Sequence, residues 1–186
     1  MCNSHTALQA SAGLHASYLL RSDGVVDRIR GGAVESELRC GGGACYIELV
    51  DQTEVQTDKS NNPSLYFYII RSDGMADRYK TYFGTLTKEM HPPVGETFVA
   101  GAAGLHQSYL LCSGGAAERI RSGKVTQQLR PSPGPAVRYI GGSCGGWSSY
   151  LLRDDGVVDR TQHGGRISHE MVPSSPEQTQ RTCIIS

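Results

Sequence analysis

The chain's 186 residues are enough for one ordinary domain with a hydrophobic core and too few for two large ones. Lys plus Arg and Asp plus Glu each number 18, so the formal net charge is zero and the cationic excess on which duplex nucleic-acid binding rests is missing. No apolar run reaches the about 18 residues of a membrane-spanning helix, and Met1-Cys2-Asn3-Ser4-His5 has neither the basic nor the apolar region of a secretory signal, which favours an intracellular setting.

Taken in chain order, the predicted elements repeat. Ala7 to Gly13 reads as a short apolar strand closed by glycine, and Leu14-His15-Ala16-Ser17 leads from it into Tyr18-Leu19-Leu20-Arg21-Ser22-Asp23-Gly24. Aromatic and branched residues ahead of an Asp-Gly turn, followed by Val25-Val26-Asp27-Arg28, are a strong local signal for a hairpin, because glycine takes the positive φ of a tight reversal. Gly31-Gly32 then marks a turn into the alternating segment Ala33 to Leu38, a fourth strand.

The second unit starts at Cys45 to Val50, continues through Tyr68-Ile69-Ile70-Arg71-Ser72-Asp73-Gly74 and Met75-Ala76-Asp77-Arg78, and ends with Thr85 to Met90 after Gly84. The third has Phe98 to Gly104, Tyr109-Leu110-Leu111-Cys112-Ser113-Gly114-Gly115, Ala116-Ala117-Glu118-Arg119 and Lys124 to Leu129. The fourth has Val137 to Ser143, Tyr150-Leu151-Leu152-Arg153-Asp154-Asp155-Gly156, Val157-Val158-Asp159-Arg160 and Arg166 to Met171. The anchor tyrosines are spaced by 50, 41 and 41 residues, and the excess in the first interval is read as a polar surface loop over Asp51 to Pro63.

These spacings predict an all-β protein: a four-repeat, propeller-like architecture in which each blade is a short antiparallel sheet of about four strands. The units cover approximately 5–40, 44–91, 96–133 and 136–176, with a closing strand over 181–186 containing Thr182-Cys183-Ile184-Ile185. A unit of this size cannot bury its own apolar faces, so neighbouring units must cover them, either in a closed ring or in an open arc completed by another chain. A three-fold β-trefoil or β-prism conflicts with four anchors.

The pattern Gly, His-x-Ser-Tyr-Leu-Leu-x-x-Asp-Gly-x-Val resembles the RCC1-like repeat of the regulator of chromosome condensation family. It is carried by Gly13, His15, Ser17, Asp23, Gly24 and Val26, by Gly104, His106, Ser108 and Gly115, and by Gly146, Ser149, Asp155 and Gly156. The chain departs from that family where Asp27-Arg28, Asp77-Arg78, Glu118-Arg119 and Asp159-Arg160 replace an aromatic-glycine pair. The resemblance implies a propeller and protein binding. It does not extend to guanine-nucleotide exchange, which uses a full seven-bladed face.

The repeated polar residues are expected to be structural. Adjacent strand residues point to opposite faces, so either the acid of each pair, or Arg28, Arg78, Arg119 and Arg160 together with the anchor arginines Arg21, Arg71 and Arg153, should link adjacent blades by charge-assisted hydrogen bonds. His15 and His106 share a position with Trp147 and Leu65, a packing site at which a histidine donates to a backbone carbonyl between blades. Cys2, Cys40, Cys45, Cys112, Cys144 and Cys183 are expected to be free, mostly buried thiols, with Cys40 and Cys45 the one plausible local disulfide pair.

No metal set, cofactor motif or nucleophile elbow is present: Gly101-Ala102-Ala103-Gly104 and Gly141-Gly142-Ser143-Cys144-Gly145-Gly146 lack the Lys-Ser/Thr ending of a phosphate loop. The expected function is a non-catalytic protein-interaction or assembly module, with self-association or a protein partner. Its partner surface is placed on aromatic side chains that exceed what identical blades need: Tyr66, Tyr79, Tyr82, Phe83 and Trp147, with Tyr46 and Phe67 also read as exposed. A carbohydrate-binding repeat protein is the alternative, because repeated β modules often carry one shallow site per unit.

Overall fold

The computed structural model describes residues 6–12, 16–57, 63–132, 136–162 and 166–171. His15, Cys2, Cys183 and the expected closing strand 181–186 lie outside them. Every regular element among the described residues is a strand, and the sixteen strands form four separate antiparallel sheets, each a meander of four.

Blade 1 comprises β1 (Ala7–Ala12), β2 (Ser17–Arg21), β3 (Val26–Arg30) and β4 (Ala33–Leu38); blade 2 comprises β5 (Tyr46–Thr57), β6 (Pro63–Arg71), β7 (Ala76–Lys80) and β8 (Thr85–Met90). Blade 3 comprises β9 (Phe98–Ala103), β10 (Ser108–Cys112), β11 (Ala117–Arg121) and β12 (Lys124–Leu129); blade 4 comprises β13 (Tyr139–Cys144), β14 (Ser148–Arg153), β15 (Val158–Gln162) and β16 (Ile167–Met171).

The second and third strands of each blade join through the Asp-Gly or Gly-Gly turn, where Gly24, Gly74, Gly115 and Gly156 have φ of +75°, +82°, +86° and +84°. A reciprocal backbone lock holds this turn to the start of the same blade. The Ser72 amide donates to the Cys45 carbonyl at 2.8 Å and the Cys45 amide donates to the Ser72 hydroxyl at 3.0 Å. Ser22 with Thr6, Ser113 with Thr97 and Asp154 with Arg138 repeat it.

Blades then join in series. The Tyr46 amide donates to the Gly24 carbonyl at 3.0 Å, Phe98 to Gly74 at 2.8 Å, and Tyr139 to Gly115 at 3.0 Å. Each of those three glycines also touches the next blade so closely that a Cβ would sit 2.4–2.5 Å from an atom of Cys45, Thr97 or Arg138. First strands meet along the inner edge, β1 against β5, β5 against β9 and β9 against β13.

The hydrophobic core lies between blades. Tyr18, Leu20 and Val26 pack on Leu49, Phe67, Ile69 and Tyr79 at the first joint; Tyr68, Ile70 and Ala76 on Phe98, Leu110 and Ile120 at the second; Tyr109, Leu111 and Ala117 on Tyr139, Cys144 and Leu151 at the third. Each large apolar side chain removed from water in this way contributes about 1.5–3 kcal/mol. Among the described residues blade 4 makes no comparable packing with blade 1, so the four blades form an open arc.

Where the structure describes the polar stretch expected as a surface loop, over 51–57 and at Pro63, it is instead strand. β5 continues through Thr57, and Glu54, Val55, Gln56 and Thr57 pair with Tyr66, Leu65, Ser64 and Pro63 after a bulge beyond Val50. Extending the ladder satisfies backbone groups that a loop would leave to water, and the Val55 amide donates to the Leu105 carbonyl of blade 3 at 3.0 Å.

Gly74→Ala should cost clearly more stability than Gly156→Ala. Both impose the positive-φ strain of about 1–2 kcal/mol, whereas only at Gly74 does the new methyl meet the next blade, through Thr97. Chemical denaturation of the two variants measures the difference.

Candidate functional site

The anchor arginines act inside their own blades, which corrects the expectation that they link neighbours. Arg71 donates through Nε and Nη2 to the two oxygens of Asp73, at 3.1 and 2.5 Å, and through Nη1 to Asp77 at 3.3 Å and Glu89 at 2.9 Å. Asp77 also accepts from the Tyr46 hydroxyl at 2.7 Å. Blade 4 repeats the cluster with Arg153, Asp155, Asp159 and Tyr139, and blade 1 with Arg21, Asp23, Asp27 and Glu37. Burial pushes the Asp73 carboxyl up, but the Arg71 guanidinium and the Met75 amide outweigh it and hold the group below its ordinary range. Arg153 likewise holds Asp155 low.

Blade 3 departs at every linked position. Cys112 replaces arginine and Gly114 replaces aspartate, while Glu118 accepts from the Gln128 amide at 2.8 Å. Glu96 takes over the missing carboxylate, accepting from the Gly114 amide at 3.2 Å. Loss of the cation thus goes with loss of the turn aspartate, while Glu118 keeps an acid at the second position, and Cys112 is buried in the core beside Phe98. Burial pushes its thiol up to about 12, and the Cys144 thiol up to about 11.

The arginine of each Asp-Arg pair projects from the opposite face. Arg28 donates to the Tyr82 carbonyl of blade 2 and to Glu35 of its own blade. Arg78 lies 3.5 Å from the Tyr66 ring centroid and packs against Gly123 of blade 3. Arg119 donates to Gln107 at 2.9 Å, and Gln107 donates to Ser149 of blade 4 at 2.9 Å. Arg160 donates to Ser148 within its own blade at 2.9 Å.

The aromatic set divides. Tyr79, Tyr46 and Phe67 are buried, contrary to the expectation of exposure. Phe67 lies between Tyr18, at 4.0 Å between ring centroids, and Tyr79, at 5.6 Å, filling the first joint. Tyr66 is half-buried beneath Arg78. The exposed rings of this set lie on turns between first and second or third and fourth strands, which an antiparallel meander brings to one end of the blades. Tyr82 and Phe83, in the turn from β7 to β8, are 43% and 63% exposed and meet edge to face at 4.7 Å. Arg30 stands 5.3 Å from the Tyr82 ring and Lys80 5.8 Å from the Phe83 ring. Trp147 is 75% exposed on the first turn of blade 4, and the His106 ring, from the equivalent turn of blade 3, lies 5.3 Å away.

A second set was missed in the sequence. Leu8, Ile47, Val99 and Ile140 occupy one equivalent place, the bulged residue of each first strand, and all are exposed. They follow Ala7, Tyr46, Phe98 and Tyr139 directly. The sequence shows each first strand only as a short apolar stretch, and the bulge that turns these aliphatics outward adds one residue without a compositional signal.

Similarity to solved structures follows the architecture. The chain aligns with BamB from Moraxella catarrhalis at a TM-score of 0.62 and 10% identity, covering 91% of this chain and 51% of that one. It aligns with the WD40 β-propeller domain of Doa1 at 0.60 and 10% identity, covering 90% and 53%, and with BBS1N in complex with ARL6DN at 0.66 and 10% identity, covering 95% and 57%. The chain is thus an all-β array of propeller blades that spans about half the length of the structures it matches. No family model and no curated protein matches its sequence.

Two outcomes follow from this chemistry. Because Asp73 and Asp155 are held low, the stabilisation that they supply is present above about pH 4 and is lost as pH falls through their depressed values; melting temperature should drop on acidification, and less so in Arg71→Met or Arg153→Met. Cys40, Cys45, Cys112 and Cys144 are thiols outside any disulfide. Among these four, a thiol reagent read by mass spectrometry should therefore modify exposed Cys45 first and reach Cys112 and Cys144 only on unfolding.

Proposed function

We propose that the chain is a non-catalytic protein-interaction and assembly module whose blades belong to the RCC1-like type, and that the turn from β7 to β8 is a docking point. The observation that carries this reading is the Tyr82–Phe83 pair. The corresponding turns of blades 1 and 3 hold Gly31-Gly32 and Ser122-Gly123, so among the described residues blade 2 alone raises two large rings into solvent from this turn. Rings of this kind are the side chains that carry most binding energy at protein interfaces once a partner desolvates them. Arg30 and Lys80 at their faces favour a partner presenting an apolar side chain bordered by carboxylates.

The backbone around the pair supports the same reading. Arg28 grips the Tyr82 carbonyl rather than its side chain, and the Gly84 amide donates to the Lys80 carbonyl at 2.9 Å. The rings are therefore presented on a turn held in advance, which lowers the entropic cost of docking. One solved structure of similar fold, BBS1N, is itself seen in complex with a second protein.

The double variant Tyr82→Ala/Phe83→Ala tests this. Its melting temperature should stay close to that of the parent, because both side chains are exposed. Proteins that co-purify specifically with the parent chain, quantified by mass spectrometry, should fall at least about tenfold. Unchanged recovery would remove the surface.

A further inference from the structure

The two open ends of the arc repeat the two halves of its internal joints. On β14, Tyr150 and Leu152 are 38% and 39% exposed. Their equivalents are fully buried against a following blade: Tyr18, Tyr68 and Tyr109 at 0–2%, and Leu20, Ile70 and Leu111 at 0–1%. On β16, Met171 is 43% exposed where Leu38, Met90 and Leu129 are at 3–6%. The far side of blade 4 thus carries a core-type face with no cover among the described residues.

Blade 1 offers the opposite half. Leu19 and Ile29 are only partly buried on its free side, while at the same positions Ile69, Leu110 and Leu151 are at 0%, as is Ile120. Ser17 is exposed where Ser108 and Ser149 are fully buried in receiving blades. The backbone matches as well. Gly156 keeps the positive φ of Gly24, Gly74 and Gly115, yet a Cβ built on it meets nothing within 4 Å. Its carbonyl stands where those three accept the amide of the next first strand, and Thr6-Ala7 is the counterpart of the donor segments Cys45-Tyr46, Thr97-Phe98 and Arg138-Tyr139.

We infer that a second copy of this chain occupies the open ends: blade 4 of each copy packs on blade 1 of the other, and two arcs close into an eight-bladed ring. This rests on the assembly half of the proposed function and names the partner. A head-to-tail joint gives a closed body only when its rotation closes and an open filament otherwise. Four blades that span about half the length of matched propellers place closure at two copies. The new joint continues the three already formed, with Tyr150 and Leu152 set against Leu19, Ile29 and Ser17 of the other copy, and the Ala7 amide of that copy donating to the Gly156 carbonyl.

Sedimentation velocity and light scattering of the full chain test it. The expected mass is twice 20.0 kDa, discrete and without larger species. Leu152→Glu damages the blade 4 half and Leu19→Glu the blade 1 half, so each variant alone should be monomeric, with dimerisation weakened at least about tenfold. Mixing the two restores one sound joint and should return a dimer. Circular dichroism and melting of each variant, compared with the parent under dissociating dilution, separate lost association from lost folding.

A parent that stays monomeric up to the highest soluble concentration overturns the inference, and this covers the case in which residues 172–186 shield blade 4. A dimer that survives Leu19→Glu overturns it in favour of blade 4 packing on blade 4, and a ladder of larger species overturns closure. A monomeric parent that still loses its co-purifying proteins in Tyr82→Ala/Phe83→Ala would sink the ring and leave the docking turn standing; a ring with unchanged co-purification would do the reverse.

Discussion

A four-stranded sheet with apolar residues on both faces has no stable existence by itself, and this constraint organises the molecule. In blade 3 the strand Ser108–Cys112 is buried at every position, alternate side chains facing blade 2 and blade 4. Neither set can be covered from within the sheet, whose own contacts run edge to edge. Hydrophobic burial therefore acts across joints, while the strand ladders act within blades and single backbone bonds join one blade to the next. The glycine turn is where the two meet, since one residue reverses the strand, receives the next blade's first amide and leaves room for its side chain.

The polar residues divide along the same line. The anchor arginine, with its two aspartates, stiffens the turn within a blade and neutralises charge that would otherwise be buried alone. The arginine one residue beyond the second aspartate projects to the other face, where Arg28 and Arg78 close the next joint. Blade 3 shows that the cation and the adjacent turn carboxylate are exchanged together, the cation for the Cys112 thiol and the turn carboxylate for Glu96 from the start of the blade. An uncompensated Arg or Asp at that depth would cost far more than the cluster contributes.

Much of this architecture was legible in the sequence, because the signals were local and recurred. The outer strands Ala33–Leu38, Thr85–Met90 and Lys124–Leu129 lie between a glycine turn and a linker, and their ends coincide with those punctuation marks. The extension of β5 was hidden because the sequence Asp51-Gln52-Thr53-Glu54 is uniformly polar and offers no period-two signal, and its pairing is set by residues from Pro63 onward. Tyr79 was misplaced by treating Tyr79-Lys80-Thr81-Tyr82-Phe83 as one cluster. Strand alternation puts Tyr79 on the same side as Asp77, inside the joint, and only the turn beyond Lys80 carries rings outward. The exposed aliphatics Leu8, Ile47, Val99 and Ile140 were out of reach, since a bulge shifts register without leaving a compositional mark.

The long hairpin of β5 and β6 leans across a boundary that the other blades respect, and Val55 is bonded to the loop backbone of the following unit. A lineage that grows or shrinks by copying whole blades can cut cleanly only where adjoining copies share nothing but their standard joint. The seam between the second and third units is not such a place. Insertion or deletion there would take from the Val55 amide the Leu105 carbonyl that accepts it, so dividing the chain at this seam costs a backbone hydrogen bond beyond those of a standard joint.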